Sequence, residues 1–287
     1  FPNKIMISGP KGIGKSTFIY HVANYLLSLD ENNKYAKEDF SINEQNSSYK
    51  KINDFTHPNV FLIENKLSEK DIKIENIRKL QKFLVKSTYS KDLKIVIIDD
   101  AEDLNLNSSN ALLKSLEEPP KNTFFFVIHN SACKIHNTVK SRCVEFKVFF
   151  TEKEKKNIFK NLVQQYNVNF DFNTLLENIY YDTPGNVLKY FFSLLKSDVN
   201  IDNNYLEILF YFIDKYNRDK NSENLSFVLL FVEKFYKNLF FIKNTNFNKS
   251  FLNYSKILYQ IDNMKKFNLD KNNTLVWLKN TLQNEKK

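Results

Sequence analysis

Short apolar segments alternate with segments of helical periodicity over the first half of the chain. Five of them are predicted to be strands, at residues 4–8, 59–64, 93–98, 123–129 and 143–149, and the run 93–98 is apolar nearly throughout, as buried parallel strands are. Between them, apolar residues recur at helical spacing over about 16–29, 72–87 and 108–118. Strands that alternate with helices predict an α/β fold built on a doubly wound sheet of five parallel strands.

Two changes of pattern divide the chain further. Residues 30–58 are polar, rich in Asn, Lys and Ser, and without a clear period, so they are predicted to be an insertion or a mobile loop. From Thr151 onward the pattern is helical, with a break over about 197–204. We therefore expect three domains, at residues 1–150, 151–197 and 198–287.

Composition is compatible with several folded domains. The 287 residues are 42% hydrophobic and 15% aromatic, which excludes a disordered chain. The net charge of +9 suits a polyanionic partner, but a lysine-rich, AT-biased genome would give the same excess.

Cysteine use and the length of apolar runs favour a reduced cytoplasm. Cys133 and Cys143 are the only cysteines, too few for the disulfide framework of a small secreted domain, and no signal peptide is recognisable. The densest apolar stretch, residues 227–242, is interrupted by charges before it could cross a bilayer. The chain begins without Met, so we also expect that an N-terminal piece is missing.

A glycine-rich segment between the first strand and the first helix matches the phosphate-loop motif G-x-x-x-x-G-K-[ST]. Backbone N–H groups in such a loop surround phosphate oxygens, and the following helix directs its positive end at the anion. We expect Lys15 to bridge the β- and γ-phosphates, and Ser16 to hold Mg²⁺ with Thr17 behind it. The predicted nucleotide-binding residues are Gly9, Pro10, Lys11, Gly12, Ile13, Gly14, Lys15, Ser16 and Thr17.

An acidic pair, Asp99-Asp100, follows the third strand. A carboxylate at the carboxyl end of a buried strand in a phosphate-loop sheet can reach the Mg²⁺ shell, and we assign Asp99 to that role. An acidic turn after a strand is the alternative interpretation.

Two further motifs resemble a known family. Residues 110–120 (NALLKSLEEPP) resemble the helix after the acidic motif in clamp-loader ATPases of bacterial DNA polymerase III, and Ser141-Arg142-Cys143 resembles their SRC motif. These are AAA+ proteins. Residues 57–60 and 99–104 look more like the delta-prime subunits of this family than like its gamma/tau motor subunits. The resemblance extends over about residues 5–190.

The resemblance implies an architecture and partners. It implies a RecA-like AAA+ ATPase domain (1–150), a helical lid (151–197) and a helical collar for oligomerisation (198–287). Five such subunits, including gamma/tau and delta, form a ring that loads the sliding clamp onto primed DNA, with ATP and Mg²⁺ as cofactors. Arg142, one of only three arginines among 42 basic residues, would then be an arginine finger acting on a neighbouring subunit's ATP. A surface salt bridge is the alternative for Arg142.

The chain departs from the family pattern at several positions. Asp100 stands where the family's catalytic Glu is usual, and Asn186 stands where a lid arginine often lies. Asn130 fits either the polar sensor 1 residue that orients the attacking water or a strand-end cap. No four-cysteine zinc module is present in residues 30–58, and we expect no zinc. The expected activity is therefore ATP binding with weak intrinsic hydrolysis.

Three other functions remain open on the sequence. The first is a gamma/tau-type motor ATPase or a eukaryote-like small subunit of a clamp loader. The second is a small-molecule kinase with a phosphate loop, and the third is a scaffold that binds no nucleotide.

Overall fold

The computed structural model of the chain describes residues 2–65, 71–87, 93–165, 182–195, 205–220, 222–242, 247–267 and 269–286. Within the chain there are two compact units. The first consists of Phe1–Asn161 and Asp182–Asn186, and the second of Leu162–Tyr181 and Val187–Lys287. The predicted domain boundaries at residues 150 and 197 stay predictions, and the predicted break over 197–204 lies outside the described residues.

The first unit is built on a sheet of five parallel strands. They are β1 Lys4–Gly9, β2 Val60–Ile63, β3 Lys94–Ile98, β4 Thr123–Asn130 and β5 Val144–Lys147. Their spatial order is β2-β3-β4-β1-β5, so the chain crosses over the sheet between strands. The predicted α/β fold is confirmed, and each of the five strands overlaps one of the predicted segments, with β1 and β4 extending one residue beyond theirs.

Helices cover both faces of this sheet. They are α1 Lys15–Leu27, α2 Ser47–Asn53, α3 Ile74–Val85, α4 Leu106–Glu117 and α5 Asn137–Lys140. One core cluster packs Leu80 of α3 and Leu112 of α4 against Val96. The other packs Ile19 and Ala23 of α1 against Ile97. Residues of β3 therefore face both clusters, which explains its continuous apolar run.

The segment predicted to be an insertion or loop contains a helix that the apolar pattern did not indicate. Helix α2 buries only Ser48 and Ile52, and polar contacts fix its first turn. Asn46 Oδ1 accepts hydrogen bonds from Tyr49 N at 2.6 Å and from Asn24 Nδ2 at 2.9 Å. Because these contacts are polar, periodicity of apolar residues could not reveal them.

Every described element after Thr151 is helical, as predicted. The helices are α6 Glu152–Gln165, α7 Pro184–Leu195, α8 Tyr205–Asp219, α9 Ser222–Ile242, α10 Phe247–Phe267 and α11 Lys271–Lys286. In the second unit, Phe212 of α8 stacks on Phe231 of α9 with ring centroids 5.5 Å apart, and Tyr190 meets Phe227 edge-on at 5.2 Å. Among the described residues, no helix is both long and apolar enough to cross a membrane.

Candidate functional site

The candidate site lies at the carboxyl ends of three neighbouring strands. Gly9 ends β1, Asn130 ends β4 beside it, and Asp99 follows β3 on the other side of β4. In an open parallel sheet this edge is the usual position of a ligand site. The sheet thus places Gly9–Thr17, Asp99, Asp100 and Asn130 at one edge.

Glycine is required by the path of the phosphate loop. Gly12 and Gly14 have φ values of 80° and 101°, in the region that side chains disfavour. At Gly9 an added Cβ would lie 2.7 Å from the carbonyl oxygen of Val148. Ile13 is buried, so its side chain helps to hold the loop on the unit while the backbone remains at the edge.

Several carbonyls of the loop accept hydrogen bonds from groups outside it. Lys11 O accepts from Thr183 Oγ1 at 2.7 Å, and Gly12 O accepts from Gly185 N at 2.9 Å. Because the C=O and N–H of a trans peptide point in opposite directions, the N–H groups that follow these carbonyls face away from the contacts. They therefore do not point at Thr183 or Gly185, which an anion cradle on the other side of the loop requires.

No side chain of α1 or of its N-cap residue would compete with a ligand for the backbone N–H groups at the amino end of the helix. Its N-cap is Gly14, no side chain caps its backbone N–H groups, and its first turn has no acidic residue. Such a terminus leaves backbone donors and a partial positive charge for an anionic ligand. The donor set therefore fits a phosphate chain.

Lys15 is buried beside this terminus. Its Nζ donates to Gly9 O and to Pro10 O, each at 2.8 Å. Burial lowers the pKa of the Lys15 ammonium, and nearby carboxylates, Glu102 first, oppose that effect. Backbone carbonyls of the loop therefore hold the Lys15 side chain close to the position that a phosphate chain would take.

The two residues predicted to hold Mg²⁺ are in direct contact. Ser16 Oγ donates to Asp99 Oδ2 at 2.8 Å. Burial raises the pKa of Asp99, and the hydrogen bond from Ser16 opposes the rise. A hydroxyl and a carboxylate placed together at a phosphate loop are oxygen ligands of the kind that Mg²⁺ prefers.

Asp100 lies next to this pair but has a different partner. Its backbone is left-handed, with φ 51°, and its Oδ2 lies 3.5 Å from Lys11 Nζ. Thr17, the last residue of the predicted set, is exposed one position after Ser16. The assignments of these residues to catalysis and to nucleotide binding stay predictions.

Asn130 has the contacts of a strand-end cap. Its Oδ1 accepts from Ala132 N at 3.2 Å, and its Nδ2 lies 3.5 Å from Cys133 Sγ. Its backbone N–H donates to Glu102 Oε2 at 3.0 Å. The cap is thus present, while the sensor role of Asn130 stays a prediction.

Glu102 and Thr183 are site residues that sequence reasoning missed. Glu102 ties the turn after β3 to the end of β4. Thr183 is 172 positions from Lys11, and no local pattern connects the two. The available signals were Gly185, the only glycine outside the phosphate loop, and the expected position of a lid arginine at Asn186.

Arg142 lies at the opposite edge of the sheet. It precedes β5, whose first residue, Val144, pairs with Ile5 of β1. Four residues of strand, or about 13 Å at 3.3 Å per residue, separate Ile5 from Gly9. The guanidinium bonds instead to Glu117 and to Thr138 O.

Comparison with known proteins identifies relatives of the first half of the chain. The family described as DNA polymerase III, delta subunit, matches residues 1–152. DNA polymerase III subunit delta' of Pseudomonas aeruginosa is 34% identical over 140 residues, which are 49% of this chain and 41% of that protein. Subunit delta' of Buchnera aphidicola from Acyrthosiphon pisum is 30% identical over 159 residues, 54% of this chain and 45% of that protein. The chain thus matches less than half the length of each.

Two further comparisons extend this result. DNA polymerase III subunit tau of Bacillus subtilis is 32% identical over 147 residues, 51% of this chain and 24% of that protein. A gamma subunit-related protein from Thermotoga maritima has the same fold, with a TM-score of 0.51, 18% identity, and coverage of 99% of this chain and 96% of that one. The resemblance to delta-prime subunits is confirmed, and the chain belongs to the DNA polymerase III delta-subunit family.

Proposed function

We propose that the chain is a clamp-loader subunit of a bacterial DNA polymerase III holoenzyme, of the delta-prime kind. In this role it binds ATP with Mg²⁺, hydrolyses it weakly alone, and presents Arg142 to the nucleotide of a neighbouring subunit. The proposal rests on one observation: the phosphate cradle and Arg142 lie at opposite edges of one sheet. A second subunit would be needed to bring a cradle and a finger together.

The cradle residues define how ATP would be held. Backbone N–H groups of Gly9–Ser16 would bind the phosphates, with Lys15 neutralising their charge. Ser16 and Asp99 would hold the Mg²⁺. When bound, ATP would supply a phosphoanhydride bond, and its hydrolysis would transfer the terminal phosphoryl group to water.

Two features support weak hydrolysis by the isolated chain. Asp100 is one methylene shorter than Glu, and its carboxylate already faces Lys11. Asn186 is neutral, and its Nδ2 donates to Asp182 Oδ1 at 3.0 Å. Neither residue offers the full-length carboxylate or the positive charge that a motor subunit directs at the reacting phosphate.

Exposed apolar side chains in the second unit support assembly through that unit. Exposed apolar groups that lie side by side on a protein surface can mark sites of association, and Phe247 and Phe251 stack with ring centroids 6.0 Å apart. The large examples on α10 and α11 are Phe247, Phe251, Leu252, Tyr259, Phe267, Val276 and Trp277. We assign these helices to the collar that contacts gamma/tau and delta subunits, in a ring that acts on the sliding clamp and primed DNA. A cytoplasmic location stays a prediction.

A gamma/tau-type motor is the second candidate, because a tau subunit is 32% identical to this chain over 147 residues. The short carboxylate at Asp100 favours the delta-prime role instead. A measurement on the purified chain distinguishes the two proposals, because a motor would hydrolyse ATP without partners at an ordinary enzymatic rate of about 1–1000 s⁻¹.

Reconstitution tests the proposed function. The chain is combined with gamma/tau and delta subunits, and ATP hydrolysis is measured with clamp and primed DNA. Arg142→Ala should leave assembly intact and lower the hydrolysis rate severalfold, because an arginine finger stabilises charge in the transition state. Arg78→Ala is the matched control, because Arg78 is an exposed arginine on α3 of the first unit. Full DNA-stimulated hydrolysis by the Arg142→Ala complex would contradict the finger assignment.

A further inference from the structure

Arg142 is held in a defined orientation by acceptors of its own chain. Its Nε donates to Glu117 Oε1 at 2.9 Å, and its Nη2 donates to the same oxygen. Its Nη1 donates to Thr138 O at 2.8 Å. All three guanidinium nitrogens are therefore engaged, which fixes the plane of the group.

The position of Glu117 is set by the core beneath it. Glu117 is the last residue of α4, and its neighbour Leu116 is fully buried in the same cluster as Val139 of α5. Cys143, which follows Arg142, packs against this cluster as well. Both members of the ion pair are thus anchored by the adjacent residue in the chain, although they are 25 positions apart.

The ion pair of Arg142 and Glu117 contributes little to the free energy of unfolding. The side chains of Arg142 and Glu117 are 30% and 51% exposed, and exposed ion pairs contribute little to stability because solvent screens them. The guanidinium has five N–H groups, and each of its three nitrogens uses one in these contacts. At least one N–H of Nη2 remains for an anion outside the chain.

We propose that Glu117 is the positioning residue for Arg142. It fixes the guanidinium so that its remaining donors are presented outward in one orientation, ready for the terminal phosphate held by a neighbouring subunit. The inference rests on the proposed function, since it takes Arg142 to act in trans. Without Glu117, Arg142 would have to lose the freedom of its long side chain at the moment of reaction.

The expected kinetic effect is specific. Glu117→Ala in the reconstituted complex should lower kcat for ATP hydrolysis severalfold, with KM for ATP nearly unchanged, because the finger acts on charge that develops in the transition state. Glu117→Gln keeps an acceptor oxygen at the same place and should restore most of the rate. Glu118→Ala is the matched control, because Glu118 is the next residue and is also exposed.

A double-mutant cycle separates the inference from the function on which it rests. If Glu117 acts through Arg142, Glu117→Ala has no further effect in the Arg142→Ala background. Additive losses would show that Glu117 acts elsewhere and would overturn the inference. A normal rate for Glu117→Ala beside an impaired Arg142→Ala would also overturn it. A normal rate for Arg142→Ala would reject the finger itself, and the inference with it.

The isolated chain provides a second readout. With only three arginines, its Nε–H groups should give three resolvable NMR signals. The Arg142 signal should exchange slowly with water in the wild type and in Glu118→Ala, and quickly in Glu117→Ala. Fast exchange in the wild type would show that the pair does not hold in solution, and the inference would fail while the finger assignment stood.

Discussion

Two glycines of the phosphate loop have similar backbone angles but different surroundings. An added Cβ at Gly12 would lie 2.5 Å from Thr183 Oγ1 and 2.9 Å from Asn186 N, whereas nothing lies within 4 Å at Gly14. The backbone strain of an alanine is similar at both positions. The difference between them therefore measures how closely residues 182–186 rest on the loop.

We predict that Gly12→Ala destabilises the chain by about 1–2 kcal/mol more than Gly14→Ala does. The reason is that Thr183 or the backbone at Asn186 must move away from the loop. Urea denaturation of both variants gives the comparison. Equal losses would contradict the close contact of these segments.

The two cysteines differ in reactivity for a physical reason. Burial raises the pKa of the Cys143 thiol from its ordinary 9.0 to about 11. Cys133 is exposed, although partial burial and the Glu102 carboxylate raise its pKa too. At pH 8 a thiol reagent should modify Cys133 well before Cys143.

The pH dependence follows from the direction of the Cys143 shift. The pKa of Cys143 is higher in the folded state than in the unfolded state. The folded state therefore keeps the thiol protonated, and the stability that this contributes is lost as pH rises from 9 through about 11. Modification of Cys143 should accelerate over this range, as followed by mass spectrometry, with Cys133→Ser as the reference protein. Rapid modification of Cys143 at pH 8 would contradict its burial.

Secondary-structure elements were predictable where apolar burial forms them. Strand β3 has a continuous apolar sequence and is buried throughout, and α4 ends where Pro119 makes continuation unfavourable. Helix α2 buries a single apolar side chain, Ile52, so polar contacts between distant residues are also needed to hold it in place. Asn46 is completely buried and joins its own helix to Asn24 of α1.

Asn46→Ala should therefore cost about 1–3 kcal/mol of stability. The change removes the N-cap of α2 and leaves Asn24 Nδ2 without this acceptor. Asn43→Ala is the control, because Asn43 also caps a nearby N–H but is exposed. Thermal denaturation that shows equal stability for both variants would refute the structural role of Asn46.

At the scale of the whole molecule, the sequence predicted the residues that converge at the carboxyl edge of the sheet. It did not predict contacts between residues that are distant in the chain and belong to different elements. Lys15, Ser16 and Asp99 follow parallel strands, so their convergence at one sheet edge follows from topology. The contact of Thr183 with Lys11 depends on the return of a helical segment to the loop, which no periodicity records. The pairing of Arg142 with Glu117 depends likewise on the packing of α4 against α5.

The central claim is that this cradle binds a nucleoside triphosphate, and titration of a fluorescent ATP analogue with Mg²⁺ tests it most directly. Wild type and Lys121→Ala should bind in a saturable manner, since Lys121 is exposed at the amino end of β4, away from the site. Lys15→Ala should bind about tenfold or more weakly, because it lacks the charged donor, while its thermal unfolding stays cooperative. Absence of binding by wild type, or equal binding by Lys15→Ala, would contradict the account.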